Sequence, residues 1–155
     1  MIRPVRLADA SLLAEIHADA FPEDAWPALG FMTLLANPGN EGFVSIEEGG
    51  RAAGLVILRT AAGETEVITL GVRPAMRNRG HGARLLATVI ERATQRGAQT
   101  VFLEVAEDNP AAIRLYTNNS FVEVGRRPGY YRRKDGRMTA LVMRRDIIEA
   151  ERRSS

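Results

Sequence analysis

The chain has 155 residues, 45% hydrophobic and 26% charged, with a formal net charge of +2 and no cysteine. That length and balance fit one globular domain with its own core and exclude collagen, coiled-coil and low-complexity chains. The missing cysteines exclude disulfide frameworks, thiolate zinc sites, iron–sulfur ligation and a cysteine nucleophile.

His17 and His81 are the only histidines, so no metal is expected. No apolar run reaches the roughly 18 residues of a membrane span, and MIRPVRLADA has no signal-peptide apolar core. A cytoplasmic protein with no membrane partner is the expectation. The charge is polarised along the chain: residues 1–50 hold two arginines against eight acids, whereas residues 126–155 hold ten basic groups against four acids. All basic residues except Lys134 are arginines, whose planar forks suit phosphate or carboxylate. Aromatics are sparse in the basic part, with only Tyr130 and Tyr131, which gives little support to RNA binding there, and no DNA partner is expected.

Residues 2–5 read as a short strand. Asp9 can then cap a helix whose apolar positions Leu12, Leu13, Ile16 and Ala20 fall at helical spacing until Pro22. On that helix His17 is expected at the surface. Trp26, Leu29, Phe31, Leu34 and Leu35 mark a second helix or an irregular apolar segment. Residues 43–48, the pair Gly49-Gly50 and residues 53–60 read as a hairpin, because such a pair favours positive φ. Ala61-Ala62-Gly63 then leads into residues 64–72 and completes an antiparallel meander.

Leu85, Leu86, Val89, Ile90 and Ala93 share one face of a helix over residues 82–96, and Gly97 stands where a left-handed cap is wanted. Residues 100–105 read as a buried strand. Asn109-Pro110 combines a cap with a proline at the first helical position and opens a helix through Tyr116. Strands over 121–131 and 138–144, joined through Lys134-Asp135-Gly136-Arg137, complete the order β, α, α, β, β, β, α, β, α, β, β.

The strongest local signal is Arg77-Asn78-Arg79-Gly80-His81-Gly82-Ala83, which follows a strand and opens a helix. A helix start leaves about four N–H groups unpaired and carries roughly half a positive charge, and two glycines let an anion come close. A dinucleotide fold would need a third glycine where Leu85 stands, and would need it after the first strand. Gly-x-x-x-x-Gly-Lys is absent as well, which excludes the loop of a nucleoside triphosphatase.

Arg77-x-x-Gly80-x-Gly82, preceded by Leu70-Gly71-Val72-Arg73-Pro74, resembles the acetyl-CoA loop of the GNAT acetyltransferases. The likeness continues through Phe102-Leu103-Glu104-Val105, Asn109-Pro110-Ala111-Ala112, Leu115-Tyr116 and Phe121, and covers about residues 1–145. Within that family Trp26, Leu103-Glu104-Val105, Asn109, Tyr116 and Gly129-Tyr130-Tyr131 resemble the RimI-type branch, which acetylates the N-terminal alanine of a small-subunit ribosomal protein. One departure is Asn118-Asn119-Ser120, where the branch has a small-residue turn ending in glycine.

The resemblance implies an α+β fold. Its centre is a mixed, mostly antiparallel seven-stranded sheet flanked by about four helices and splayed between the fourth and fifth strands. Residues 1–147 would form the single domain and residues 148–155 a polar tail, in a monomer or weak dimer. Acetyl-CoA would lie in the gap, its diphosphate on the amides from Arg79 through Gly80, His81 and Gly82 to Ala83, with Arg77 and Asn78 beside it. Its pantetheine arm would run along Leu70, Gly71 and Val72, and an amide near Val72 would polarise the thioester carbonyl. Asn109 would contact that arm, cap the following helix, or do both.

Glu104 is then the base, through a water, and Tyr116 the acid towards the coenzyme sulfur. Taken alone, Glu104 reads as a strand residue facing water and Tyr116 as core packing with Ile113. Glu66, on the strand where other relatives of this fold place a base, is the alternative. His81 is expected to be an outward-pointing spacer. Trp26, Tyr130 and Tyr131 would wall the acceptor.

An α-amine has a reference pKa of about 7.7–8.0 against about 10.4 for lysine, so lysine costs roughly 3 kcal/mol more to deprotonate at neutral pH. A single modest base therefore favours a protein N-terminus as acceptor. The rivals are an enzyme acting on small amines, for which Glu23 and Asp24 near Trp26 would supply an acidic pocket, and an acetyl-CoA-binding sensor without catalysis.

Overall fold

The computed structural model describes residues 1–147, so the tail expected at 148–155 lies outside the described residues. Its elements are β1 (Ile2–Pro4), α1 (Ala10–Ala20), α2 (Ala28–Ala36), β2 (Asn40–Ile46), β3 (Ala52–Ala61), β4 (Glu64–Val72), α3 (His81–Gln95), β5 (Thr100–Ala106), α4 (Pro110–Thr117), β6 (Val122–Arg133) and β7 (Gly136–Asp146). Seven strands form one sheet in the order β1-β2-β3-β4-β5-β7-β6. Every neighbouring pair is antiparallel except β4 and β5.

That parallel pair positions the site. Its ladder runs from Glu64 opposite Thr100 to Val67 opposite Leu103 and stops, although β4 continues to Val72 and β5 to Ala106. The strands splay beyond that point, and the edge of residues 68–72 that faces away from β3 has no strand partner among the described residues. Ile68, where the splay starts, is an extra residue in the β3–β4 ladder, since Ile57 pairs with Thr69 and Leu58 with Val67. A bulge of this kind bends a strand and sharpens its twist.

Helices cover both faces of the sheet, unequally. Leu85, Leu86, Val89 and Ala93 of α3 pack on Val56, Leu58, Val67, Val101, Leu103 and Val105. Each of the larger side chains contributes about 1.5–3 kcal/mol on burial. On the opposite face Leu13, Ile16 and Phe31 cover Val44, Leu55 and Ile57. Buried on both faces, β3 is an unbroken apolar run, Leu55-Val56-Ile57-Leu58. The second layer does not extend over β5, so Phe102 and Glu104 line an open cleft of ≈ 380 Å³ with Arg59, Glu64, Glu66 and Arg127.

Several local expectations are corrected here. The segment after Trp26 takes the first of its two readings, a helix from Ala28 to Ala36, whereas β2 starts at Asn40, before residue 43. The strand over residues 100–105 is buried on one face only, through Val101, Leu103 and Val105. Asp9 does not cap α1 with its side chain; its carboxylate accepts from the Arg6 amide at 2.8 Å and from Arg3 at 3.1 Å. His17 is not at the surface. It is 2% exposed, accepts from the Trp26 amide at 3.2 Å and stacks on the Trp26 ring at 4.6 Å, because the turn after α1 folds back over it.

Candidate active site

Between β4 and α3 the chain passes through two left-handed residues, Asn78 at φ 64° and Gly80 at φ 84°. A side chain at Gly80 would be strained, and its Cβ would stand 2.8 Å from Arg84 Nη1. A Cβ on Gly82 would meet the Leu115 side chain at 3.1 Å, so the start of α3 lies close against α4. The Arg84 amide bonds to the Gly80 carbonyl at 3.0 Å, whereas the amides of residues 79–83 find no acceptor among the described residues. These are the N–H groups expected to hold an anion.

The loop's side chains turn elsewhere. Arg77 donates to the carbonyls of Val72 at 3.1 Å and Ala20 at 3.4 Å, bracing the loop against β4 and α1. Arg79 pairs with Glu47 at 2.7 Å. His81 is no outward spacer: it is 3% exposed, with Nδ1 2.6 Å from Ser45 Oγ and Nε2 3.1 Å from Glu47 Oε1. The first turn of α3 lies over β2, so the side chain at this position points down onto the sheet. Asn78 is exposed, Leu70 and Val72 are half-buried, and Gly71 packs beneath Ala20 and Phe21.

Glu104 is the first residue of β5 past the end of the parallel ladder. Alternation along the strand turns it away from Val101, Leu103 and Val105, into the open cleft. Its side chain is 21% exposed; Oε1 is ion-paired with Arg127 Nε at 3.1 Å, and Oε2 is buried with no hydrogen-bond partner among the described residues. Glu66 shares the cleft but is exposed on β4, inside the paired part of the ladder.

Tyr116 packs edge-on against Phe121 at 5.9 Å and is buried, which pushes its hydroxyl pKa up, with a smaller contribution from Tyr131. The Tyr131 hydroxyl lies 3.5 Å from the Glu104 carbonyl; burial first, then Glu104, pushes its pKa up to about 12. Both phenols therefore stay protonated at neutral pH and can donate. Tyr130 is 49% exposed, perpendicular to Tyr131, with the Arg127 guanidinium 5.4 Å from its ring centre. Asn109 caps α4, accepting from the Ala112 amide at 3.2 Å. Trp26 packs on His17 and Phe31, behind the turn that carries Glu23 and Asp24.

Sequence reasoning missed Arg127 and Arg133. Arg133 pairs with Asp24 at 2.7 Å, Asp108 at 2.9 Å and Glu23 at 3.4 Å, fastening the β6–β7 hairpin to the turn before α2 and to the loop before α4. The acidic start of the chain thus meets its basic end. The available signal is the arginine pairs Arg126-Arg127 and Arg132-Arg133 that flank Gly129-Tyr130-Tyr131, which by themselves do not say which acids they meet.

The family model for the acetyltransferase (GNAT) family matches residues 10–121. The chain belongs to the GNAT family. As a GNAT acyltransferase it is 42% identical over 144 residues to the N-alpha-acetyltransferase RimI of Mycobacterium tuberculosis, covering 90% of this chain and 87% of that one. It is 33% identical over 131 residues to the [ribosomal protein bS18]-alanine N-acetyltransferase of Escherichia coli, covering 83% and 84%. The crystal structure of the ribosomal-protein-S18-alanine N-acetyltransferase from Escherichia coli superposes with a TM-score of 0.87 at 28% identity, over 95% of this chain and 93% of that one. Arabidopsis thaliana NAA60, solved in complex with acetyl-CoA, shares the GNAT fold at a TM-score of 0.82 and 21% identity, over 95% and 98%. Among the described residues no helix is long and apolar enough to cross a membrane.

Proposed function

We propose that this GNAT protein transfers an acetyl group from acetyl-CoA to the N-terminal α-amine of a protein, with the N-terminal alanine of a small-subunit ribosomal protein as the leading acceptor. One observation carries the reading. The parallel ladder ends at Val67 and Leu103, and the next residue of β5 is a half-buried glutamate with one oxygen unpartnered. The names of the two similar curated enzymes support the choice of acceptor.

The residues present fit the coenzyme. The amides of Arg79, Gly80, His81, Gly82 and Ala83 have no acceptor among the described residues and would hold the diphosphate. The free edge of residues 68–72 would accept the pantetheine arm as an added strand, with Asn109 near it. Acetyl-CoA supplies the activated acyl group. Glu104 takes a proton from the acceptor ammonium through a water and leaves a neutral amine to attack. An amide near Val72 steadies the carbonyl oxygen. Tyr116 returns a proton to the departing sulfur, and Tyr130, Tyr131 and Trp26 border the acceptor.

The small-amine rival loses its main support, because Glu23 and Asp24 are already paired with Arg133. The test is release of free thiol from acetyl-CoA with peptides that differ in their first residue. Turnover on an Ala-first peptide is expected. Acetylation of polyamines alone, or acetyl-CoA binding with no turnover on any amine, would replace this reading with one of its rivals.

A further inference from the structure

His81 is a buried histidine on the loop that the mechanism leaves unused. Arg84 Nη2 stands 3.2 Å from His81 Nδ1 and also donates to the Arg79 carbonyl at 3.1 Å. A guanidinium has no acceptor, so Nδ1 must accept, and the imidazole proton sits on Nε2. Ser45 Oγ, 2.6 Å away, therefore donates into Nδ1, and Nε2–H donates to Glu47 Oε1 at 3.1 Å. The same carboxylate oxygen accepts from Arg79 at 2.7 Å.

The chain of bonds runs from Ser45 through His81 to Glu47 and back to Arg79. It joins the end of β2 to both sides of Gly80. We infer that Glu47 and His81 are positioning residues that hold the amides of Arg79 to Ala83 in the orientation a coenzyme diphosphate needs. The inference rests on the reading of those amides as the phosphate site.

The loop needs such a tether. Asn78 and Gly80 both lie in the left-handed region, and the glycine on its own explores wide backbone space. An untethered loop would be ordered only on binding, at the expense of affinity. Glu47 suits the place electrostatically, since a carboxylate is stabilised at a helix N-terminus. Arg79 first and His81 second hold its pKa below the ordinary value. Neither side chain touches a reacting atom in this scheme, so the effect falls on coenzyme affinity and not on the chemical step.

The experiment titrates CoA calorimetrically into the wild-type protein and into Glu47→Ala, Glu47→Gln and His81→Leu, and compares kcat/KM for acetyl-CoA with that for acetyl-pantetheine, which has no phosphate. Glu47→Ala and His81→Leu are expected to weaken CoA binding about 10- to 150-fold, the range of a lost hydrogen bond to a charged group. Glu47→Gln keeps an acceptor oxygen and recovers most of the loss. With acetyl-pantetheine, Glu47→Ala should match wild type. Unchanged CoA affinity in Glu47→Ala, or equal losses with both thioesters, overturns the inference. Should His81→Leu fail to fold, the two Glu47 variants decide alone, because that side chain lies on a surface turn. A wild-type protein that binds no CoA overturns the phosphate reading itself, and this inference with it.

Discussion

Arg127 Nε stands 3.1 Å from Glu104 Oε1, while the other oxygen of that carboxylate is buried without a hydrogen-bond partner among the described residues. One oxygen of the carboxylate is thus paired from β6, and the other keeps its accepting capacity unused. Arg127 is 58% exposed, and an exposed ion pair contributes about 0–1 kcal/mol. Glu104→Gln is expected to lower kcat about 10²- to 10⁴-fold with acetyl-CoA binding intact. Arg127→Gln should change kcat/KM by less than about fivefold. Steady-state kinetics on an Ala-first peptide separates the two; similar losses in both variants would make Arg127 part of the chemistry.

Tyr116→Phe keeps the ring that packs on Phe121 and removes only the hydroxyl. If that hydroxyl protonates the leaving sulfur, kcat falls about 100-fold while the unfolding midpoint stays near that of wild type. An unchanged kcat would return Tyr116 to the role of a core residue.

His17 makes stability depend on pH. Burial lowers its pKa from 6.5 to about 4, and nearby Asp24 opposes this only in part. Between those values the unfolded chain binds a proton that the folded protein refuses. Stability is therefore complete above pH 6.5 and falls as the pH drops towards 4, by a total on the order of 3 kcal/mol. Urea unfolding from pH 7 to pH 4 should show this slope for wild type and a flatter one for His17→Gln. Parallel curves would mean that the imidazole is protonated in the folded state.

Ser120 occupies φ 69°, at the position where it departs from the glycine that ends this turn in the branch the chain resembles. A left-handed conformation costs a non-glycine residue about 1–2 kcal/mol, partly offset by the backbone entropy glycine loses on folding. Ser120→Gly should therefore stabilise the protein by about 0.5–1 kcal/mol, read as a higher unfolding midpoint. A lower midpoint would show that the loop after Tyr116 depends on the serine side chain.

Periodicity and turn chemistry were enough to read most elements. Gly49-Gly50 and Gly97 turn with the positive φ expected of them, the break at Ala61-Ala62-Gly63 separates β3 from β4, and Asn109 caps α4 as its pairing with Pro110 implies. The splay of β4 from β5 has no such local signature. It depends on where a ladder between residues 64–67 and 100–103 stops, and only the family resemblance pointed to it. Both histidines were misread for one reason: spacing tells which face of a helix a residue occupies, but not that the turn at Trp26 closes over His17 or that β2 runs beneath His81. Arg133 was hidden similarly, since its partners Asp24 and Asp108 are brought to it only by the fold.

A crystal structure of the protein bound to a CoA–peptide conjugate tests the whole scheme most directly. The account predicts phosphate oxygens on the amides of residues 79–83, the pantetheine arm alongside residues 68–72, and the peptide nitrogen one water away from Glu104. Phosphates bound away from Gly80 and Gly82, or a Glu104 carboxylate still held by Arg127 with no path to that nitrogen, would contradict it.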